Sequence, residues 1–192
     1  MRAIWTRLAP GIATLALALA SGAANADCDV MTGGGFIINN GAQANFGVAG
    51  GCKDGMPTFG HLEYIDHGVS LNVHWTSITA YQFDSNGPDF KGHRTGSRFI
   101  CGKARTNPPQ PNDDDVDFAV RANDTGEPGT TDEFDIQLTK GGAVVYTTNL
   151  NFLLPPHKLN DGAGGGGNIQ LHGPTAGNFS TDSCPARFGF IA

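Results

Sequence analysis

The chain contains no C-x-x-C pair, no H-E-x-x-H and no G-x-S-x-G. The first absence argues against zinc knuckles and thioredoxin-like redox sites. The other two argue against zincin-type proteases and the nucleophile elbow of the α/β-hydrolases. Beyond residue 26 no segment carries a 3.6-residue apolar period, and there is no heptad pattern or internal repeat, so helical architectures are disfavoured. The one long apolar run, Ile12–Ala20, is too short to serve as a membrane anchor. The glycine run Gly164–Gly167 is not a phosphate cradle. It lacks the following Lys-Ser/Thr and helix, and leads into Asn168-Ile169-Gln170-Leu171, a strand pattern. It reads as a flexible turn.

What is present begins with an address. Arg2 and Arg7 precede the apolar run, and Ala24-Asn25-Ala26 follows it, which is the layout of a secretory signal peptide cleaved after Ala26. Asp27 stands where a lipid-modified N-terminus would carry a small residue. The expected division is a leader over 1–26 and a single disulfide-stabilised β domain over 27–192. Removing 26 of 192 residues leaves 166, enough for one core. The leader holds two of the 12 Lys and Arg and none of the 18 Asp and Glu, so the mature charge is ten against eighteen, or −8. Such a surface repels nucleic acid and anionic lipid and is compatible with divalent cations. The expected location is secreted or periplasmic, or at the cell surface.

All four cysteines, Cys28, Cys52, Cys101 and Cys184, follow the cleavage site, and an even count in an exported chain implies two disulfides. Three pairings are open. The favoured one joins Cys28 to Cys52, which bracket a segment that reads as one hairpin. It also joins Cys101 to Cys184, tying the C-terminal tail to a central strand.

Period-2 alternation recurs. Leu71, Val73 and Trp75 alternate with Asn72, His74 and Thr76; Val116, Phe118 and Val120 with Asp117 and Arg121; Phe134, Ile136 and Leu138 with Asp135 and Gln137. Strands are predicted at Val30–Ile38, Ala44–Ala49, Thr58–Asp66, Ser70–Ile78, Ser97–Ala104, Val116–Ala122, Glu133–Lys140, Ala143–Thr148, Asn168–His172 and Ala186–Ile191. With 28 Gly and 11 Pro punctuating them, the expected fold is all-β, an antiparallel sandwich, with jelly-roll-like or barrel-like closure as variants. Thr106–Asp115 and Pro155–Gly167 are expected as loops within this domain.

Two sets of side chains carry chemistry. In Gly60–His67, an extended strand puts His61 and Glu63 on one face and Leu62, Tyr64 and Asp66 on the other, with His67 at the turn. His172 ends a strand and joins this set as a candidate acid–base or ligand group. The competing reading makes these strand-end polar residues that satisfy backbone groups. The second set is Asp124, Glu127 and Asp132, in the loop between two clear strands. They are candidate calcium ligands, set against a hydrophilic turn whose side chains bond its own backbone. Asp113, Asp115 and Asp117 imitate an EF-hand start, but Phe118 stands where glycine is needed.

Six segments resemble the post-COAP domain, a module of bacterial exported proteins. They are Thr32–Ile37, Asn45-Phe46-Gly47, Gly60–Tyr64, Asp66-His67, Asn123–Leu138 and Gly165–His172. The resemblance implies an exported module, often placed near a C-terminus after repeated extracellular domains. It implies no reaction, ligand or site residues. This chain differs in its four cysteines, the extension Gly173–Ala192 and the excursion Thr106–Asp115.

The expectation is a non-enzymatic binding or structural module with a protein or glycan partner outside the cytoplasm, no nucleic-acid partner, no integral membrane span, and no cofactor unless calcium. The alternatives are a hydrolase or metal-dependent lyase built on His61, Glu63, Asp66, His67 and His172, and a self-assembling subunit. In the latter an apolar strand such as Arg187–Ile191 would complete a neighbour's sheet.

Overall fold

The structure, a computed structural model, describes residues 28–107, 113–159 and 166–189. The leader expected over 1–26 lies outside these residues, as do 108–112 of the proline-rich excursion and 160–165 of the glycine-rich stretch.

Nine strands follow one another: β1 (Val30–Asn39), β2 (Ala42–Lys53), β3 (Met56–Asp66), β4 (Leu71–Asn86), β5 (Gly96–Thr106), β6 (Asp113–Asp124), β7 (Glu133–Lys140), β8 (Ala143–Thr147) and β9 (Gly167–His172). They form one antiparallel sheet in the order β8-β7-β6-β5-β4-β3-β2-β1-β9. Eight strands are thus a simple meander, and β9 returns to lie outside β1. The predicted alternation holds: Leu62, Tyr64 and Asp66 of β3 are buried while His61, Glu63 and Ile65 are exposed.

The sheet folds over so that its ends face each other. The Phe46 ring of β2 stacks on Phe134 of β7 at 3.9 Å between centroids, and the hydroxyls of Tyr64 in β3 and Tyr146 in β8 meet at 2.6 Å. The packing is therefore sandwich-like, but both faces belong to one continuous ladder. Register shifts along the β4–β5 pairing between Trp75 and Ser77, Ile78 and Ala80, and Phe83 and Ser85 supply bend. They also carry β4 well past its predicted end at Ile78. The core joins Met31, Phe46, Leu62, Tyr64, Phe118 and Phe134. Each such large apolar side chain contributes about 1.5–3 kcal/mol by burial.

Both expected disulfides are present, Cys28–Cys52 and Cys101–Cys184. The first closes the β1–β2 hairpin at its open end. The second holds the C-terminal segment over the outer face of the central strands, where Cys184 and Ala186 pack with Ala80, Phe99 and Ala119. The strand predicted at Ala186–Ile191 is not formed over its described part, which is a 3-10 turn, Pro185–Arg187, followed by coil. The reason is position: the segment crosses the face of the sheet, where no strand offers its backbone. Ala186 packs with Phe99 instead, the Arg187 guanidinium lies 3.8 Å from that ring's centroid, and Phe188 is exposed.

One buried device had no signature in the sequence. Asp29, just before β1, meets Arg98 of β5 in a bidentate pair with Nη2–Oδ2 at 2.6 Å and Nε–Oδ1 at 3.1 Å. The Tyr81 hydroxyl donates to the same carboxylate at 2.6 Å. Arg98 also donates to the carbonyls of Ser85 and Ser97 and to Asn86 Oδ1. The rings of Phe83 and Phe179 flank the guanidinium. A buried charge is tolerable only when so completely partnered.

Candidate functional site

The strands pull the His61 set apart. His61 and Glu63 lie on the outer face of β3, where Glu63 pairs with His74 across the ladder to β4. Asp66 points inward, accepting from the Tyr146 hydroxyl at 2.6 Å, Asn39 Nδ2 at 2.9 Å and the Gly68 amide at 2.8 Å. His67 is exposed and meets Asn45 Oδ1 at 2.9 Å. His172 lies at the opposite end of the sheet from His67, paired with Val30 and bonded to Thr32 Oγ1 at 2.8 Å. Three strand spacings separate β9 from β3, roughly 14 Å. The expected role as strand-end groups satisfying backbone is also corrected for His67 and His172. Their imidazoles bond side chains on the surface, each reaching a diagonal neighbour: His172 sits opposite Val30 but meets Thr32, and His67 follows Asp66, which sits opposite Ala44, but meets Asn45.

The Asp124 set does come together, around β9. Asp124 Oδ2 accepts the Leu171 amide at 2.7 Å and its Oδ1 the Gly126 amide at 2.8 Å. Asp132 Oδ2 accepts the Ile169 amide at 2.8 Å and its Oδ1 the Thr125 amide at 2.9 Å. Ile169 and Leu171 are the alternate residues of β9 whose N–H groups point away from β1. An open edge is a template for unwanted pairing, and here two carboxylates occupy it. Burial raises both carboxyl pKa values above the ordinary range, outweighing the N–H donors that lower them. Glu127 is different. It is exposed, and its Oε1 accepts Gln170 Nε2 at 2.7 Å and Asn168 Nδ2 at 3.3 Å, which holds its pKa below the usual value. Among the described residues no three His, Cys, Asp or Glu side chains form a group that would hold a metal ion.

Sequence reasoning missed the residues that complete this region. Phe90 and His93 exchange backbone hydrogen bonds at 2.9 Å in both directions, and Lys91 and Gly92 between them have φ of 50° and 83°. This is a two-residue turn of the kind that demands positive φ at both centres, which the glycine provides at no cost. It is pinned at its base by Gly87 N–H to Thr95 O and by Thr95 Oγ1 to Pro88 O. The turn projects His93 and Arg94 toward the end of β9. Phe90 packs so closely on Gly126 that a β-carbon there would stand 2.9 Å from the ring. The turn, the Asp124–Asp132 loop and the end of β9 thus enclose a cleft of about 470 Å³. His93, Arg94, Glu127, Gln170 and His172 line it, with Asp124 and Leu171 behind. The available signal was the basic trio Lys91, His93 and Arg94 around a glycine in a chain of net charge −6.

Comparison with family models, with curated proteins and with solved structures finds no match to this chain. The described residues include no helix long and apolar enough to cross a membrane.

Proposed function

We propose that this chain is an exported, disulfide-braced binding module that acts outside the cytoplasm without catalysing a reaction, and that its contact region is the cleft at the end of β9. The observation that carries this reading is a division of labour among the polar side chains. Asp124 and Asp132 are committed to the backbone of β9 and its loop. His93, Arg94, Glu127, Gln170 and His172 face open space from a framework those carboxylates hold rigid. A preformed cleft with a few fixed polar groups is the usual form of a small-ligand site, since ordering done in advance is not charged to binding. The two disulfides and the leader-like start agree with export, and the post-COAP resemblance agrees with a module role. The enzyme alternative requires His61, Glu63, Asp66, His67 and His172 to converge, and the strands separate them. The self-assembly alternative requires a free edge; at β9 the carboxylates occupy it, which leaves the five-residue β8 as the other edge of the sheet.

The test is a glycan and peptide array probed with the mature, oxidised protein and with a His93→Ala/His172→Ala variant. A ligand class bound by the wild type and lost in the variant, with an unchanged melting temperature, supports the reading. Retention of every bound class by the variant refutes the cleft as the contact region.

A further inference from the structure

We propose that the cleft binds an acidic glycan through a carboxylated sugar, with Arg94 taking the sugar carboxylate and Glu127 with Gln170 taking its hydroxyls. This rests on the binding-module reading and gives that site a ligand class. The walls differ in sign. On the turn side, Arg94 has no ion pair or hydrogen bond within the described structure, unlike Arg98 and Arg121, which are held by carboxylates. Lys91 and His93 stand beside it. Lys91 reaches over the Phe90 ring at 5.2 Å. A guanidinium with its fork of donors uncommitted is suited to a planar carboxylate.

On the opposite wall, Gln170 donates to Glu127 and leaves its own carbonyl oxygen free, while Glu127 has a second oxygen that bonds no described residue. Acceptors held side by side suit the O–H donors of a vicinal diol. His172 and His93 close the ends, each able to donate or accept through a ring nitrogen. Gly92, Gly126 and Gly173 supply bare backbone, and Leu171 and Pro174 are its apolar contributors. It is the uncommitted Arg94 on one wall and the free acceptors of Glu127 and Gln170 on the other that favour a polyhydroxylated acid over a peptide. Phe90 against Gly126 fixes the distance between the walls, so carboxylate and hydroxyl recognition act on one ligand at once.

The experiment is calorimetric titration of the mature, oxidised protein with oligogalacturonate and with the same oligomer after its carboxylates are reduced to alcohols. The acidic oligomer should bind and the reduced one should not. Arg94→Gln should weaken binding by about tenfold or more, with Arg94→Lys intermediate because it keeps the charge but not the fork. The melting temperature of each should match wild type, since Arg94 is exposed and supports nothing else. Equal binding of acidic and reduced oligomers, or full affinity in Arg94→Gln, overturns the proposal. If the acidic oligomer does not bind but a neutral ligand from the array is lost in His93→Ala/His172→Ala, the acidic-sugar assignment fails and the cleft reading stands. If nothing bound responds to either variant, both fail.

Discussion

Replacing Asp29 by Asn tests the buried pair that ties the start of β1 to the centre of the sheet. The substitution keeps shape and leaves an oxygen for the Tyr81 hydroxyl. It removes the countercharge from a guanidinium whose side chain is about 1% exposed. The donors to Ser85 O, Ser97 O and Asn86 Oδ1 survive, so the geometry need not collapse. What is lost is the bidentate pair, and an amide nitrogen now faces Arg98. Breaking one side of a buried pair costs about 3–5 kcal/mol, a large share of the about 5–15 kcal/mol that holds a domain together. With a urea m-value of about 2 kcal/mol/M, the midpoint should fall by about 1.5–2.5 M. The assay is urea unfolding followed by tryptophan fluorescence with both disulfides intact. An apolar triple variant, Asp29→Leu/Tyr81→Phe/Arg98→Met, should unfold at higher urea than Asp29→Asn, because no charge is left stranded among Phe83 and Phe179. A midpoint shift below about 0.5 M for Asp29→Asn would refute the reasoning.

Other outcomes follow from the same structure. Burial raises the pKa of all three tyrosines, Tyr64, Tyr81 and Tyr146. The unfolded chain therefore loses these protons first, stability falls above about pH 10, and absorbance at 295 nm should report tyrosinate only as the protein unfolds. A native titration near pH 10 contradicts this. Asp124 and Asp132 also have raised folded pKa values, so their contribution grows as pH falls through those values and is lost as pH rises. The melting temperature of wild type minus that of Asp124→Asn/Asp132→Asn should widen from pH 7 toward pH 4, and a flat difference rejects the assignment. Their oxygens already accept N–H groups, so millimolar calcium should move the melting point by less than about 1 °C, and a larger rise would restore them as ligands. The disulfides enclose sequence separations of 24 and 83 residues, for which the chain-entropy account gives about 3.5 and about 4.5 kcal/mol. Cys101→Ser/Cys184→Ser should accordingly destabilise more than Cys28→Ser/Cys52→Ser, and the reverse order in urea unfolding counts against that account.

The sequence by itself determined the all-β class, most strand positions and the inward and outward faces, and it favoured Cys28–Cys52 as the brace of one hairpin. Each is a local matter. Alternation in β3 and β7 follows from the two-residue period of an extended chain, and Cys28 and Cys52 bracket one hairpin. Where local pattern was silent, only the tertiary structure decided. The C-terminal segment from Ala186 onward has strand-like residues, yet it crosses a sheet face where no backbone is free to pair. Asp29 and Arg98 are 69 positions apart and carry no shared pattern; the fold over of the sheet buries them against each other. Asp124, Glu127 and Asp132 were legible as a set, but their partners on β9 were not, because β9 reaches them only by returning to the outside of β1. His61 and His172 looked equivalent as residues, and strand order put one on the open face of β3 and the other in a cleft with His93 and Arg94. Composition and period act within one strand or one turn. A site on a meander is assembled between strands, and the order in which they pair decides it.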